Sequence, residues 1–375
     1  MLKVVADIDI PFLKGALEPF GNAVYEKGSA ITNLMLQDAD VLITRTRTRC
    51  NEDLLSNTKV KLIASATIGH DHIDKEYCNQ NGIKWVNAPG CNAGSVQQYF
   101  ASALSEILQK SSQDLKDLTI GIIGAGNVGK KVISIANTLG VKTLVNDPPR
   151  ARTEGGVGFC HLDELLEKSD IVTLHVPLNN NGADKTLHLA NDSFFERMKK
   201  GAWLINTSRG EVVDTDSLKV ALKSGKLSGA ILDVWENEPN IDFELLKMVT
   251  IATPHIAGYS ADGKANGTTM VVREISRFFD LGIENWSPSN IPSPPKPILQ
   301  VSENSKTPIQ VFCELSLQAY PIIEDHNRLL KNPELFEDLR STYPVRREPY
   351  ALSVNAAGLP QKHKEIVAQL GYRLI

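Results

Sequence analysis

Gly124-Ala125-Gly126-Asn127-Val128-Gly129 is the stretch that decides the fold of this chain. The apolar run Thr119-Ile-Gly-Ile-Ile123 before it is typical of a buried parallel strand, and residues 130–139 after it have apolar side chains at helical spacing, with Gly140 as a candidate C-cap. A second apolar run over residues 142–145 ends at Asp147. A strand, a GxGxxG turn, a helix, a second strand and an acidic residue in this order form the dinucleotide-binding fingerprint.

Each conserved feature of this fingerprint has a physical reason. Gly124 permits a tight turn, Gly126 lets the backbone approach a pyrophosphate, and Gly129 lets the helix pack closely on the sheet. The helix N-terminus offers free N–H groups and a positive potential to the phosphates. Asp147, 18 residues after Gly129, is placed to accept hydrogen bonds from a ribose diol, and its charge repels a 2′-phosphate. The sequence therefore predicts NAD as the cofactor in preference to NADP.

The composition limits the classes of protein to which the chain can belong. Its 375 residues are enough for two or three domains, and 42% hydrophobic with 22% charged residues is typical of a globular protein. The formal net charge of −4 argues against a general nucleic-acid binder. Five scattered cysteines without CxxC spacing predict reduced thiols and no metal site. Since no signal-peptide pattern and no long apolar run occurs, we expect a cytoplasmic protein without membrane contact.

The order of apolar runs predicts an α/β protein with two doubly wound parallel-sheet domains and a small C-terminal α+β domain. The predicted strands are Leu2–Ala6, Val41–Thr44, Leu62–Ala66, Lys84–Asn87, Ile171–His175, Trp203–Asn206, Ala230–Val234 and Thr250–Ala252, with Val301 and Leu352–Val354 near the C-terminus. The predicted parts are a flavodoxin-like substrate domain (1–94 and 256–286), a Rossmann-type NAD domain (95–255), a proline-rich linker (287–308) and a C-terminal dimerisation domain (309–375). We expect ligands to bind in a cleft between the first two domains.

Three further stretches follow predicted strands: Asn206-Thr-Ser-Arg-Gly210, Asp233-Val-Trp-Glu-Asn-Glu-Pro239 and Thr253-Pro-His-Ile-Ala-Gly-Tyr259. From residue types alone, a histidine after a strand is more often structural than catalytic, and Glu236 rivals Glu238 as its acidic partner. As an ordered set with the GxGxxG turn upstream, the three stretches resemble the D-specific 2-hydroxyacid dehydrogenase family over roughly residues 1–280.

The resemblance implies a catalytic set of Arg209, Glu238 and His255, because the family places its acid directly before the proline at 239. Imidazole can take the proton of a secondary alcohol as hydride leaves carbon. A carboxylate beside the imidazole orients the ring and stabilises the imidazolium. A guanidinium can hold a substrate carboxylate with two parallel hydrogen bonds.

The resemblance also implies which residues contact the ligands. Substrate contacts are expected at Thr46 and Thr67. Cofactor contacts are expected at Gly124, Gly126, Asn127, Val128, Gly129, Asp147, Val176, Thr207, Ser208, Arg209, Asp233, Gly258 and Tyr259. For Asp233, the alternative is a purely structural role in capping a loop.

The segment Thr44-Arg-Thr-Arg-Thr-Arg49 places arginines at alternate positions after a strand. If the backbone stays extended, Arg45, Arg47 and Arg49 lie on one face. Opposite a carboxylate-binding turn at Thr67 and Gly69, such a face suits a substrate with anions at both ends, such as a phosphorylated hydroxy acid. The alternative is a solvated, charged edge strand.

Within the family, the chain is most similar to members that oxidise a phosphorylated hydroxy acid in pyridoxal phosphate biosynthesis. The stretches that carry this resemblance are Ala88-Pro-Gly-Cys-Asn-Ala93, Asp147-Pro-Pro-Arg150 and Lys185-Thr-Leu-His-Leu189. Those members have an extra C-terminal domain that mediates homodimerisation, and Arg346-Arg347 is a candidate phosphate contact across such a dimer. Two alternatives stay open: a dehydrogenase for another D-2-hydroxy acid, such as a phosphoglycerate, and a non-catalytic NAD(H)-sensing protein.

Overall fold

The computed structural model describes residues 1–110, 117–302, 305 and 307–375, which form two compact units. Unit 1 comprises Met1–Asn92 and Tyr259–Ser293, and unit 2 comprises Ala93–Gly258 and Pro294–Ile375. The strands are β1 (Leu2–Asp7), β2 (Gly21–Glu26), β3 (Val41–Thr44), β4 (Leu62–Ser65), β5 (Lys84–Val86), β6 (Thr119–Ile123), β7 (Lys142–Asn146), β8 (Ile171–Leu174), β9 (Ala202–Asn206), β10 (Leu227–Leu232), β11 (Ile251–Ala252), β12 (Ile298–Leu299), β13 (Ser353–Val354) and β14 (Arg373–Leu374).

The helices lie between these strands in both units, as a parallel sheet requires. They are α1 (Asn33–Leu36), α2 (Glu52–Leu55), α3 (Lys75–Gln80), α4 (Ala93–Lys110), α5 (Asn127–Leu139), α6 (Pro148–Glu154), α7 (Leu162–Lys168), α8 (Asp192–Arg197), α9 (Thr215–Lys223), α10 (Phe243–Met248), α11 (Ala261–Phe279), α12 (Pro308–Ala319), α13 (Ile322–Lys331), α14 (Phe336–Ser341) and α15 (Gln361–Gln369). Among the residues described, no helix combines the length and the apolar character needed to cross a membrane.

Unit 1 is built on a parallel five-stranded sheet with the order β2-β1-β3-β4-β5. This is the flavodoxin-like order, as predicted. One face of the sheet buries apolar side chains against α11, and the opposite face buries a second set against α1, α2 and α3. The central strands β3 and β4 are buried along their whole length, which explains their uninterrupted apolar sequences.

Unit 2 contains a parallel six-stranded sheet with the order β11-β10-β9-β8-β6-β7. Outside β7, the Cys160 N–H donates to the Val145 carbonyl at 2.8 Å, so this segment lies along the sheet edge without forming a strand. The helix α5 ends at Gly140 in a left-handed conformation (φ 69°), which confirms the predicted C-cap. The two sheets together confirm the predicted α/β class with doubly wound parallel sheets.

The C-terminal segment, residues 294–375, lies in the same compact unit as the six-stranded sheet. It contributes a small parallel sheet of β12, β13 and β14. Leu329 of α13 and Phe336 of α14 are buried in the same apolar core as β8, β9 and β10. In addition, the Ala252 N–H on the edge strand β11 donates to Nδ1 of His326 at 3.1 Å. The C-terminal segment therefore completes the core and the edge of the larger sheet.

The structure differs from the sequence expectations at two strands. Strand β2 was not predicted, because only one of its faces is partly buried and its sequence GNAVYE has a short apolar run. Its pairing with β1 brings Gly21 against the Leu2 carbonyl, where a Cβ atom would come within 1.8 Å of the oxygen, so this register requires glycine. Near the C-terminus, the strand is Ile298–Leu299 and does not include Val301.

Candidate functional site

The candidate catalytic residues follow neighbouring parallel strands of unit 2. Arg209 follows β9, Asp233 follows β10 and His255 follows β11. Since β9, β10 and β11 are adjacent and parallel, their carboxyl ends meet at one edge of the sheet. This edge is where open α/β sheets bind their ligands.

His255 and Glu238 form a close pair at this edge. The distance between Nδ1 of His255 and Oε2 of Glu238 is 2.7 Å. The side chains are 32% and 19% exposed, so the pair is reachable from solvent but largely surrounded by protein. Because Nδ1 faces the carboxylate, Nε2 is the ring nitrogen left to exchange a proton with a ligand.

A tight turn after Trp235 places Glu238. The Trp235 N–H donates to Oε1 of Glu238 at 2.9 Å, so the carboxylate folds back onto the start of its own loop. Burial alone raises the pKa of Glu238, but the charge of His255 and the hydrogen bonds from His255 and Trp235 outweigh it, with a further contribution from Arg340. The pKa of Glu238 is therefore lowered from its usual value, and the carboxylate is ionised beside the imidazole.

The rival acid, Glu236, is engaged elsewhere. Its Oε1 lies 2.6 Å from Nε2 of His188, and its Oε2 accepts from the Thr215 N–H at 2.9 Å, at the start of α9. Glu236 therefore ties a helix N-terminus to the His188 loop, and the acid beside His255 is Glu238, as the motif predicts.

Arg209 lies in a turn that contacts the Glu238 loop. The Asn206 side chain donates to the Arg209 carbonyl at 2.9 Å, and the Arg209 guanidinium donates from Nη1 to the Ser208 carbonyl at 2.8 Å. The next residue, Gly210, packs on the peptide between Trp235 and Glu236, where a Cβ atom would lie 1.9 Å from the Trp235 oxygen. A glycine is required here because two loops of the site meet backbone to backbone.

Asp233 holds the backbone that follows His255. Its carboxylate accepts from the Ile256 N–H and the Ala257 N–H, each at 2.8 Å, and from Oγ1 of Thr253 at 2.6 Å. The side chain is 1% exposed. Burial raises the pKa of Asp233, and the charge of His255 and these hydrogen bonds oppose the rise. The loop-capping role that was the alternative for Asp233 is present in the structure, and its contact with the nicotinamide stays a prediction.

The glycine turn between β6 and α5 has the geometry of a phosphate cradle. Gly124 has φ 89°, and a Cβ atom there would lie 2.5 Å from the His175 carbonyl oxygen. A Cβ atom on Gly129 would lie 2.1 Å from the Gly124 oxygen, whereas one on Gly126 would meet nothing within 4 Å. Close packing on one side and open space on the other fit a pyrophosphate at the N-terminus of α5, which begins at Asn127 and Val128.

Asp147 lies directly after β7, at the position expected for recognition of a ribose. Its Oδ2 accepts from the Ala125 N–H at 2.8 Å, and its Oδ1 accepts from the Arg150 N–H at 3.1 Å, which caps α6. Each carboxylate oxygen has a second lone pair, so Asp147 can also accept from a ribose hydroxyl. The residues of this turn fit a bound NAD.

His175 is a residue of this site that the sequence analysis placed only within a strand. It follows β8, and its ring lies 2.9 Å from Oγ1 of Thr173 and 3.4 Å from Oγ1 of Thr207. Burial lowers the pKa of His175 to about 3, so the ring is neutral. Its position after a strand at the carboxyl edge of the sheet is the signal that could have identified it.

The remaining predicted cofactor contacts lie in loops close to these residues or where the chain passes from unit 2 to unit 1. In unit 2, a Cβ atom on Gly124 would lie 3.0 Å from the Val176 side chain. Ser208 is buried, and its hydroxyl donates to Oδ1 of Asn206 at 2.8 Å. Gly258 is the last residue before the chain enters unit 1, where the Lys264 ammonium lies 4.8 Å from the centre of the Tyr259 ring. Their contacts with a cofactor stay predictions.

In unit 1, the predicted substrate residues follow β3 and β4. Thr67 donates from Oγ1 to the Gly69 carbonyl at 3.0 Å, which forms the expected turn. Ser65 and Thr44 hydroxyls lie 3.5 and 3.2 Å from Nε2 of His72, whose pKa is lowered by burial to about 4. This group of hydroxyls and a neutral imidazole lies at the carboxyl edge of the sheet.

The prediction that the three arginines lie on one face of an extended strand is wrong. Strand β3 ends at Thr44 and residues 46–48 bend, because Thr48 turns inward and donates from Oγ1 to the Gly28 carbonyl at 3.0 Å. Arg45 donates from Nη1 to the Asp9 carbonyl at 3.3 Å, whereas Thr46 and Arg49 are exposed. The segment is a cationic loop and not an extended strand.

The expected phosphate contact at Arg346 is also wrong. The side chain is 6% exposed, and Nη2 donates to the carbonyls of Ile256 and Ala257 in the same unit at 2.9 and 2.6 Å. Arg347 is half-buried, and its carbonyl accepts from the Gln98 side chain at 3.0 Å. A phosphate contact at Arg347 stays a prediction.

Comparison with known proteins agrees with this geometry. Residues 95–257 match the family described as D-isomer specific 2-hydroxyacid dehydrogenase, NAD binding domain. The chain is 48% identical over 357 residues to the erythronate-4-phosphate dehydrogenase of Bacteroides thetaiotaomicron, covering 94% of this chain and 99% of the relative. It is 38% identical over 356 residues to that of Escherichia coli strain ATCC 8739, covering 94% of each chain.

Among solved structures, the chain is similar to D-lactate dehydrogenase from Aquifex aeolicus complexed with NAD and lactic acid. The TM-score is 0.62 at 31% identity, and the match covers 75% of this chain and 97% of that one. For NAD⁺-bound 3-phosphoglycerate dehydrogenase of Entamoeba histolytica the TM-score is 0.62 at 26% identity, covering 78% and 99%. These structures are nearly fully matched, yet about a quarter of this chain extends beyond each match.

Proposed function

The chain belongs to the D-isomer specific 2-hydroxyacid dehydrogenase family, and on that premise we propose that it oxidises 4-phospho-D-erythronate at its C2 hydroxyl. The product is (R)-3-hydroxy-2-oxo-4-phosphooxybutanoate. The protein is an NAD-dependent dehydrogenase. The assignment of this substrate rests on the match to erythronate-4-phosphate dehydrogenases, which covers nearly the whole of both chains, including the C-terminal segment.

When bound, NAD supplies the acceptor for the hydride at its nicotinamide C4. In the proposed site, Gly124, Gly126 and Gly129 with the N-terminus of α5 hold the pyrophosphate, and Asp147 holds the adenosine ribose. Val176, Thr207, Ser208, Asp233, Gly258 and Tyr259 line the remainder of the cofactor in this proposal.

His255 is the proposed general base. Its Nε2 takes the proton of the C2 hydroxyl, while Nδ1 stays on the Glu238 carboxylate 2.7 Å away. The ionised Glu238 favours the imidazolium that forms and keeps the ring in one orientation. Arg209 holds the substrate carboxylate, for which its planar guanidinium is suited.

Thr46 and Thr67 are the proposed substrate contacts in unit 1, together with cations of the Arg45–Arg49 loop. Thr67 lies in the turn after β4, and the loop carries three arginines without an acidic residue between them. A phosphorylated hydroxy acid presents an anion at each end, which this combination of a hydroxyl-bearing turn and a cationic loop complements. We assign the reaction to pyridoxal 5′-phosphate biosynthesis in the cytoplasm.

A homodimer through the C-terminal segment completes the proposal. Ile298, Leu330, Leu335, Val345, Tyr350, Leu374 and Ile375 are large apolar residues of this segment that are more than one-third exposed. We propose that these side chains form one surface, because contiguous exposed apolar patches are typical of interaction sites. Light scattering on the eluting protein should give twice the chain mass of 41.1 kDa, and a double L374E/Y350E variant should elute as a monomer.

The test of the substrate is NADH formation from NAD with 4-phospho-D-erythronate, D-3-phosphoglycerate and unphosphorylated D-erythronate, each with a trap for the 2-oxo acid. We expect 4-phospho-D-erythronate to have the highest kcat/KM and the H255A variant to lose turnover. Turnover of D-3-phosphoglycerate alone would overturn the substrate but not the family. NAD binding without turnover of any of the three would favour an NAD(H)-sensing protein.

A further inference from the structure

Arg346 places a buried cation directly behind the His255 loop. Its Nη2 donates to the carbonyl oxygens of Ile256 and Ala257 at 2.9 and 2.6 Å, and to Oγ of Ser95 at 2.6 Å. Ser95 in turn donates from Oγ to the Ala257 carbonyl at 2.8 Å. The C-terminal segment thus reaches the two residues that follow His255, although it lies about ninety positions further along the chain.

The same two residues are also held by a group of the opposite charge. The Asp233 carboxylate accepts from their N–H groups at 2.8 Å each, and the Asp233 carbonyl accepts from the His255 N–H at 2.7 Å. In the peptide that joins Ile256 and Ala257, the carboxylate binds the N–H and the guanidinium binds the C=O, so both charges act along one dipole and each strengthens the other. The backbone from His255 to Ala257 therefore has partners on both sides.

His255 needs this support because its backbone is strained. It has φ 55°, in the left-handed region that non-glycine residues rarely adopt. Such a conformation is unfavourable for a residue with a Cβ atom and persists only where the surroundings determine it. If one side of the support is lost, the loop can relax, and the imidazole direction changes with it.

The guanidinium is itself fixed. Its central carbon lies 4.4 Å from the ring centre of Tyr320 and 5.6 Å from that of Tyr343. Both tyrosine hydroxyls donate to Oδ2 of Asp325, at 2.8 and 2.7 Å. Aromatic rings held by a shared carboxylate pack against Arg346 and favour the orientation in which Nη2 reaches the loop.

We propose that Arg346 is a positioning residue for the dehydrogenation: it holds the peptides of Ile256 and Ala257 so that His255 keeps its alignment with Glu238 and with the substrate hydroxyl. This role rests on the proposed function of His255 as the base. It also gives the C-terminal segment a part in catalysis within one chain, separate from any part in dimerisation.

The test compares R346A, R346K and R346M with R373A, which removes the same charge from an exposed position in the same segment. For R346A and R346M we expect kcat to fall by about 10²-fold, the loss that a displacement of about 1 Å in a catalytic group can cause. KM for the hydroxy acid should change much less than kcat, because Arg209 and unit 1 are left intact. The primary isotope effect on kcat from deuterium at C2 should rise, since the chemical step becomes limiting.

Three measurements distinguish positioning from a structural defect. R346K, which retains the charge, should recover part of kcat, and added guanidinium should raise kcat of R346A but not of wild type or R373A. Amide hydrogen exchange at Ile256 and Ala257 should be faster in R346A, while exchange in β6 and α5 stays unchanged. If R346A folds poorly, kcat and amide exchange in R346M and R346K, compared with R373A, still test the proposal.

The positioning role would be overturned if R346A kept wild-type kcat and wild-type amide protection. It would also be overturned if R346A lost kcat and neither the R346K substitution nor added guanidinium restored it. The exchange measurement needs no substrate. If the wild-type protein fails to oxidise any phosphorylated hydroxy acid, the proposed function falls, while the exchange result still decides whether Arg346 holds the loop.

Discussion

Nδ1 of His255 lies 2.7 Å from Oε2 of Glu238, and the Glu238 carboxylate is anchored by its own loop through the Trp235 N–H. The orientation of the pair is therefore set by groups of the protein itself. In a dehydrogenation the imidazole gains a proton, and a charged neighbour that cannot turn away stabilises that product without further reorganisation.

The E238Q variant tests this arrangement. Glutamine keeps the size of the side chain but removes the charge that favours the imidazolium, so kcat should fall by about 10²-fold, at the low end of what general acid–base catalysis contributes. Steady-state kinetics at saturating NAD will measure the loss. E236Q is the matched control, because Glu236 pairs with His188 and caps α9. If E236Q loses as much kcat as E238Q, the assignment of the acid is wrong.

Arg209 should contribute mainly to recognition of the substrate carboxylate. R209K keeps the charge but loses the planar fork, so kcat/KM for the hydroxy acid should fall by about 10²-fold, corresponding to one or two charge-assisted hydrogen bonds. The Kd for NADH, measured by fluorescence, should change far less. R197K, at an exposed position of helix α8, is the control. An equal loss of NADH binding and of kcat/KM in R209K would place Arg209 on the cofactor instead.

Asp147 should determine the preference for NAD. D147N retains a side-chain oxygen for the Arg150 N–H that caps α6 but removes the negative charge. The ratio of kcat/KM for NAD to that for NADP should therefore fall by at least about tenfold, or about 1.4 kcal/mol. D163N removes an exposed carboxylate of the same unit and should leave the ratio unchanged. An unaltered ratio in D147N would show that another residue excludes the 2′-phosphate.

The parts of the fold that follow from local patterns could be predicted from sequence. The glycine turn, the capped helix after it and the uninterrupted apolar strands each depend on residues close together in the chain. The choice of Glu238 over Glu236 came instead from the resemblance to the family. Strand β2 could not be predicted in this way. It is defined by its pairing with β1, in which Gly21 lies against the Leu2 carbonyl, and this pairing joins separate stretches of the chain.

The parts of the site that depend on distant residues were not visible in sequence. Arg346 was a candidate phosphate contact across a dimer, because the tyrosines, the serine hydroxyl and the carbonyl around it come from four separate segments. The arginine loop was expected to extend β3, but Thr48 turns inward toward Gly28, which is twenty residues earlier. In both cases a tertiary hydrogen bond decides the direction of a side chain whose local pattern is ambiguous.

Because of His175, the protein should lose stability in acid. An unfolded histidine takes up a proton below pH 6.5, whereas burial holds the pKa of His175 at about 3 in the folded protein. Between these values only the unfolded state binds the proton, so the free energy of unfolding should fall as pH falls, by about 1.4 kcal/mol per pH unit for this residue, and should be unaffected above pH 6.5. Denaturant titrations of unit 2 at pH 7, 6 and 5 will show a shallower fall in H175Q. H161Q removes an exposed histidine and should follow wild type. If the free energy of unfolding of H175Q falls with pH as steeply as that of wild type, His175 is protonated in the folded protein.

The C-terminal segment should stabilise the NAD-binding sheet itself, whatever its part in dimerisation. Phe336 is 1% exposed and packs in the core shared with β8, β9 and β10. F336A should therefore lower the free energy of unfolding of unit 2 by about 3–5 kcal/mol, the usual cost of a cavity left by a buried phenylalanine. F278A removes the same atoms from a side chain that is 38% exposed on α11, so it should cost much less. If F336A and F278A destabilise the protein equally, the C-terminal segment does not share the core of the sheet in solution.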